Sequence, residues 1–328
     1  MSNLKTSSTE VSETDLRMPG TVEQYSDGIG GKVVQLSQPY VAQTTELIGR
    51  ERELALITAA WIAGRDSLPL SPLLLGEPGV GKNRLVYELA RRTGKDLYIF
   101  QGHEDVTAED LACAVRFSDD PDKKMDYVLS PLVTAMRVGG ICFVDEIAKV
   151  RPRALALLSS VLDERHYIDS ILLGARVNSH PGFRFIAATN TADIAGSALP
   201  EFLRSRLRPV IEVGYPSPEE IAKIVRTRFP VLPNNAAPLL DLFWQLWSSQ
   251  GSDGTPPKPP TARDVIYLFD LALSCADFEV LGGNSRLRDS SRHMPFPLTG
   301  KAGATPVTEQ HLKSAFQELF RDRAQPKP

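Results

Sequence analysis

Gly76, Glu77, Pro78, Gly79, Val80, Gly81, Lys82 and Asn83 stand together directly after the apolar run Leu73, Leu74, Leu75. Gly76, Gly79 and Gly81 let the backbone take positive φ and close on an anion, and Lys82 adds a point charge. A helical pattern with Leu85, Val86, Leu89 and Ala90 on one face follows at once, so its unpaired N-terminal N–H groups would point into the same turn. These residues predict a phosphate-binding loop. Asn83 departs from the Ser or Thr that would place a hydroxyl on Mg2+; its amide oxygen offers a ligand, though one less well placed. A Gly-rich turn that merely opens a helix is the plainer alternative, but the leucine run and the register of Lys82 argue against it.

A second group of chemical residues ends the stretch Gly139 to Glu146. There the apolar run Ile141, Cys142, Phe143, Val144 stops at two carboxylates, Asp145 and Glu146, as a central parallel strand does when its C-terminal end points into a phosphate site. The roles divide: Asp145 would hold Mg2+ through water, and Glu146 would polarise an attacking water as general base. Phe183 to Asn190 reads as another buried strand, whose terminal Asn190 can hydrogen-bond a γ-phosphate or that water. Leu199 to Arg208 carries clustered arginines, among them Arg204 and Arg206, which form either a solvated face or a contact to a neighbouring subunit's phosphate. Upstream, Ile48 and Gly49 lie where a nucleotide's base often rests, with core packing as the competing reading.

The elements that must position these residues follow from periodicity. Residues 1–40 are rich in Ser, Thr and Glu and predict a flexible leader; residues 41–215 read as an α/β core with five parallel strands. After Glu46 to Glu53, a helix is expected where Leu54, Leu56, Ile57, Ala60 and Trp61 recur at helical spacing, running into the turn around Gly64, and buried strands over Pro72 to Leu75, Leu97 to Phe100, within Gly139 to Glu146, over Phe183 to Asn190 and Val210 to Val213. From His103 to Met136 the pattern reads as helical with a polar break at Ser118 to Lys124, and His166 to Gly182 as a β-hairpin or a loop insertion on the surface. His103, Glu104 and Asp105 are adjacent and read as a strand-end turn rather than a metal cluster. At Ser217, Pro218 and Glu220 a capping box opens an all-helical tail, residues 216–328, with a mobile loop expected near 282–304.

Composition narrows the partners. Across 328 residues, 37 Lys and Arg face 40 Asp and Glu, and the formal charge of −3 makes nucleic acid and anionic membrane poor partners for the whole surface. Three scattered cysteines, Cys113, Cys142 and Cys275, fit a reducing cytoplasm. No apolar run approaches the roughly 20 residues of a membrane-spanning helix.

Taken in order, the phosphate loop, the strand ending Asp145-Glu146, the strand ending Asn190, the Leu203-Arg204-Ser205-Arg206 helix and the helical tail resemble an AAA+ ATPase core over residues 46–320. The wording Gly-Glu-Pro-Gly-Val-Gly-Lys, the approach from Leu132 to Gly140, His180 to Arg184 and Glu109-Asp110-Leu111 is similar to the MoxR, CbbQ/NorQ and midasin (dynein-related) branch. The resemblance implies ATP and Mg2+ as cofactors, Asn190 as the sensor-1 residue, Arg206 or else Arg204 as a finger acting in trans, and Arg263 as the sensor-2 residue. It matches residues 167–179 to the branch's pre-sensor hairpin. It implies a ring of identical subunits, commonly a hexamer, that remodels or activates a protein partner such as a von Willebrand factor A domain protein, since the chain has no D-x-S-x-S motif of its own. The alternatives are a nucleotide-binding switch or scaffold with little hydrolysis, which Asn83 motivates, and a DNA-directed motor or GTPase.

Overall fold

The computed structural model describes residues 24–42, 46–62, 68–118, 121, 124–195, 199–232, 236–251, 256–280 and 306–320. The strands are β1 (Gln24–Ile29), β2 (Lys32–Gln35), β3 (Leu73–Leu75), β4 (Leu97–Gln101), β5 (Cys113–Phe117), β6 (Met125–Leu129), β7 (Ile141–Asp145), β8 (Tyr167–Ser170), β9 (Ala175–Asn178), β10 (Arg184–Thr189) and β11 (Val210–Glu212). In the α/β part the helices are α1 (Glu51–Trp61), α2 (Lys82–Thr93), α3 (Ala108–Ala112), α4 (Pro131–Val138), α5 (Pro152–Leu155), α6 (Leu158–Val161), α7 (Thr191–Ala195) and α8 (Glu201–Arg204). The tail contributes α9 (Pro218–Arg228), α10 (Ala236–Ser248), α11 (Ala262–Val280) and α12 (Glu309–Phe320).

Five strands form one parallel sheet in the order β11-β3-β10-β7-β4. Alternation along β7 divides its side chains between two cores. Cys142 and Val144 pack with Leu132, Met136 and Leu155 on one face; Ile141 and Phe143 pack with Ile57, Leu85 and Leu89 of α1 and α2 on the other. Both faces are covered, which is why these strands read as continuous apolar runs. Local signals set the helix ends: Ser130 caps α4 ahead of Pro131 by accepting from Val133 N at 3.1 Å, and α2 stops at Gly94 with φ of 62°.

The tail has its own core, in which Phe243, Trp247, Phe269, Leu312 and Phe316 bring α10, α11 and α12 together. Its first helix opens on a complete capping box: Ser217 N donates to Glu220 Oε2 at 2.8 Å and Glu220 N to Ser217 Oγ at 3.2 Å. The loop expected at 282–304 lies outside the described residues. Among the described residues, no helix is long and apolar enough to cross a membrane.

Two expectations are corrected. Residues 24–35, read as part of a flexible leader, form the antiparallel pair β1 and β2, and residues 113–117 and 125–129, read as helical, form the antiparallel pair β5 and β6. The two pairs join in a second sheet, β1-β2-β6-β5, where Val34 pairs in parallel with Tyr127. The reason is non-local: Val34 is buried, and Lys32 Nζ donates to Leu173 O at 2.7 Å, 141 residues away. Composition within the segment carries no trace of such partners. Of the hairpin or loop insertion expected at 166–182, the hairpin is present, as β8 and β9.

An ion-pair network ties α1 to α2. Glu88 accepts from Arg91 at 2.7 and 2.8 Å and from Arg92 at 2.7 Å, while Arg92 reaches Glu51 at 2.9 Å. The Arg91 hydrogen bonds, helped by those of Arg92, outweigh burial and hold the Glu88 carboxyl at about 2, below its ordinary 4.5. Because the folded value is the lower one, this contribution is fully present above pH 4.5 and is lost as pH falls towards about 2. Glu88→Gln should therefore flatten the acid fall of the urea midpoint across that window; an unchanged slope would mean that the network adds nothing.

Candidate functional site

The C-terminal ends of β3, β7 and β10 converge beside the N-terminus of α2, as expected of an open α/β sheet. The turn from Gly76 to Asn83 lies there. Gly79 and Gly81 have φ of 89° and 104°, the left-handed region that glycine tolerates. Gly76 is not in that region, which corrects the expectation of positive φ at all three. Its need is steric, because a Cβ there would overlap Val213 O at the end of β11. Val80 is buried and anchors the turn in the core beneath.

Lys82 is only 7% exposed, and its Nζ donates to Gly76 O at 2.7 Å, Glu77 O at 3.1 Å and Asn190 Oδ1 at 3.0 Å. Three acceptors use all three ammonium hydrogens. Burial lowers the pKa of Lys82; the Asp145 charge opposes that shift and Arg263 adds to it. Asn190 also donates through Nδ2 to Asp193 Oδ2 at 3.2 Å, so the end of β10 is fastened to the phosphate loop and to α7.

Asn83 Nδ2 donates to Asp145 Oδ2 at 2.8 Å, and Asp145 Oδ1 accepts from Glu146 N at 2.9 Å. A carboxylate and an amide group therefore meet at the edge of an anion-binding turn. Such hard oxygen donors fit Mg2+, which takes one or two protein oxygens and completes its shell with water and phosphate. Among the described residues, no group of three or more His, Cys, Asp or Glu side chains could hold a metal ion, His103, Glu104 and Asp105 included.

Glu146 has φ of 54°, an uncommon value for a non-glycine residue. Its carboxylate accepts from Gln101 Nε2 at 3.0 Å and pairs with Lys149 at 2.8 Å. Neither partner was singled out from the sequence. Gln101 stands opposite Asp145 in the strand register, so the polar residue closing the run Leu97 to Phe100 was the available signal. Lys149 was readable as the third residue after Glu146, on the following turn.

The helical tail closes the site. Arg263 N donates to Gly79 O at 3.4 Å, and a Thr261–Asp264 capping box begins α11 at that point. Arg263, Lys82, Asn83, Asp145, Glu146 and Asn190 line one cleft of about 490 Å3, together with Pro78, Gly81 and three tail residues the sequence did not announce, Arg228, Tyr267 and Asp270. An adjoining apolar cavity of about 100 Å3 is lined by Ile48, Val80, Pro216, Ile224 and Ile266 among others. Gly49 does not line it; with φ of 73°, its Cα lies against the Glu220 carboxylate.

Arg204 and Arg206 are not in the cleft of their own chain. Arg206 donates to Phe202 O at 2.6 Å and to Asp163 Oδ2 at 3.4 Å. Asp163 is gripped more tightly by Arg165, at 2.8 Å, and its carboxyl is held at about 2, first by that hydrogen bond and against burial. Arg204 donates to Leu199 O at 3.3 Å and is about half exposed.

Comparisons with known proteins bear on this geometry. Residues 71–207 match the family model of the AAA domain, dynein-related subfamily. The chain is 28% identical to protein NorQ of Paracoccus denitrificans over 260 residues, 76% of this chain and 92% of that one. It is 30% identical to protein CbbQ of Hydrogenophilus thermoluteolus over 47% of this chain and 56% of that one. An uncharacterised Staphylococcus saprophyticus protein matches at 29% identity over 47% of this chain and 59% of its own length, so with both CbbQ and this protein the match spans just over half of the relative. A mutant RuvB of Thermotoga maritima superposes with a TM-score of 0.54 at 18% identity, covering 86% of this chain and 74% of that one. That likeness shows the fold, and together with the family match the fold is the AAA+ P-loop fold.

The strand ends leave no slack around Glu146. Gly102 N donates to Asp145 O at 2.8 Å, and a Cβ at Gly102 would press on Glu146 O. Gly102→Ala should therefore cost about 1–3 kcal/mol in urea unfolding. Wild-type stability in the variant would mean that the two strand ends part freely.

Proposed function

We propose that this chain, which belongs through residues 71–207 to the AAA domain family, dynein-related subfamily, binds ATP with Mg2+ and hydrolyses it in a ring of identical subunits to remodel or activate a protein partner. One observation carries the reading: Lys82, Asn83, Asp145, Glu146 and Asn190 from the core share a single cleft with Arg263 from the helical tail. A site whose walls belong to two packed units changes shape when its occupant changes charge.

In this reading the turn from Gly76 to Gly81 and the N-terminus of α2 hold the phosphates, and Lys82 exchanges the carbonyls of Gly76 and Glu77 for phosphate oxygens. Asp145 and Asn83 hold Mg2+, which neutralises phosphate charge when bound. Glu146 accepts a proton from the attacking water once Lys149 has released its carboxylate. Asn190 orients that water or the terminal phosphate, and Arg263 offsets the charge that develops. The adenine rests in the apolar cavity beside Ile48, near Gly49. Arg206, or Arg204 in its place, acts on the nucleotide of the neighbouring subunit, in keeping with the absence of both from their own chain's cleft. The client belongs to the class of von Willebrand factor A domain proteins or of other proteins needing activation, the ring is a hexamer, and the setting is cytoplasmic.

A second reading, a nucleotide-controlled scaffold that scarcely hydrolyses, is favoured by the grip of Lys149 and Gln101 on Glu146. Steady-state ATP hydrolysis across protein concentration separates the two, with GTP as a parallel substrate. Specific activity that rises with concentration and falls at least about 100-fold in Glu146→Gln supports the hydrolase, since one general base typically contributes about 10²–10⁴-fold. Tight ATP binding without turnover at any concentration leaves the scaffold. On the hydrolase reading, Lys149→Ala should raise kcat by releasing the base, whereas a fall would make Lys149 a participant in the reaction.

A further inference from the structure

The phosphate cleft and the apolar cavity beside Ile48 adjoin along one seam. Gly81, Arg84, Arg228, Ala262 and Ile266 line both. Gly81 and Arg84 belong to the phosphate turn and the start of α2, and the other three to the helical tail. A nucleotide with its base in the apolar cavity and its terminal phosphates on the turn must cross this seam with its ribose and its α-phosphate. The seam therefore has to meet one negative charge, whatever lies further along the phosphate chain.

Arg228 suits that charge. It is the last residue of α9, whose Ile221 and Val225 turn into the core of the tail. Ile224 and Arg228, one turn apart on another face, turn instead to the apolar cavity, and Arg228 reaches the phosphate cleft as well. Its side chain is exposed, and among the described residues its guanidinium has neither a hydrogen bond nor an ion pair, although Asp270 of α11 lines the same cleft. Arg84, the other cation of the seam, already has an interaction within the chain. A basic residue in the last turn of a helix is favourable for the helix alone. Arg226 answers that description equally, yet it lines neither cavity.

Arg263 stands apart from the seam. It reaches the phosphate cleft beside Gly79 and takes no part in the walls of the apolar cavity. Of the tail's arginines that line the cleft, one is thus at the phosphate turn and the other towards the base.

We propose that Arg228 is a nucleotide-binding residue whose guanidinium donates to the α-phosphate of a nucleotide held by the same chain. The inference rests on the reading of the cleft as an ATP site. Hydrolysis removes the γ-phosphate and leaves the α-phosphate in place. Arg228 therefore holds the tail to ATP and ADP alike, whereas Arg263 meets the end of the phosphate chain that changes. The tail has one constant tie and one variable tie, and can turn about the first when the second is lost.

The test is isothermal titration calorimetry with ATP, ADP, AMP and adenosine in EDTA, which keeps divalent cations out of the comparison. Arg228→Gln should weaken ATP, ADP and AMP by one common factor of about tenfold, as for the loss of a charge-assisted hydrogen bond, and leave adenosine at its wild-type affinity. Arg228→Lys keeps the charge without the fork and should fall between the two. Arg226→Gln should bind every ligand as wild type does. Wild-type affinity for ATP and ADP in Arg228→Gln would overturn the inference. So would a loss that extends to adenosine, which would move the contact to ribose or base, or an equal loss in Arg226→Gln, which would reduce it to net charge. The urea midpoint of Arg228→Gln without nucleotide should match wild type, and a lower one, shared by Arg228→Lys, would make the residue structural and overturn the inference too. A wild-type protein that binds none of the four ligands would instead remove the nucleotide reading beneath it.

Discussion

A buried ammonium sets the terms for the rest of this structure. Taking a charged group out of water costs several kcal/mol even after relaxation, unless partners replace the hydration it loses. Lys82 is removed from solvent at the mouth of the sheet, and its replacements come from two places in the chain: carbonyls of its own loop and the amide oxygen of Asn190. The loop must fold back on itself to offer those carbonyls. That requires Gly79 and Gly81 in the left-handed region and Gly76 without a Cβ against β11. The end of β10 must also lie beside β3, which the parallel register Thr189 with Leu75 provides. A phosphate would supply charged acceptors in place of neutral ones, which is why the same constraint that shapes the turn also favours an anion in it.

The helical tail depends on the turn in its own way. Its buried aromatic cluster makes it a packed body, yet the contact that brings Arg263 to the cleft is modest: one backbone hydrogen bond to Gly79 and the close approach of Thr261. Gly79 serves both roles, since its φ shapes the turn and its missing side chain admits the tail. A rigid body docked through few contacts can shift as a unit while its own core stays intact.

The parts of the fold that were legible in the sequence are those fixed by local rules. The five parallel strands are covered on both faces and so read as apolar runs. The phosphate turn carries glycines at spacings that little else requires, and the Ser217 capping box announces the tail. The illegible parts are fixed by distant partners. The strands at 24–35 and 113–129 owe their existence to one another and to the hairpin beside Leu173, and apolar residues at 111, 112, 115, 128 and 129 suit a helix as well as a strand. Within the cleft, the sequence singled out Lys82, Asn83, Asp145, Glu146, Asn190 and Arg263, which the structure brings together, and missed the tail residues beside them and the two that hold Glu146. Gln101 and Lys149 are ordinary polar residues on their own segments, and only the register of β4 against β7 and the turn after Glu146 bring them to its carboxylate. Gly76 was singled out for the wrong reason, because a steric need and a conformational one leave the same letter.

On the ring reading, the arginines make one chain an incomplete description of the site. Arg206 Nε is buried and has no hydrogen-bond partner among the described residues, while the guanidinium's other nitrogens reach a carbonyl at 2.6 Å and a carboxylate at 3.4 Å that Arg165 already holds more closely. A buried donor left unpaired costs about 1–3 kcal/mol, so Arg206 sits in a conformation that its surroundings satisfy only in part. Asp163 is a shared and therefore weakened partner for it. On the ring reading, a phosphate presented by the next subunit would offer this side chain oxygens for which Arg165 does not compete. The ring reading thus needs no new residue to link assembly to hydrolysis, since on that reading a partner exchange of Arg206 would itself be the link.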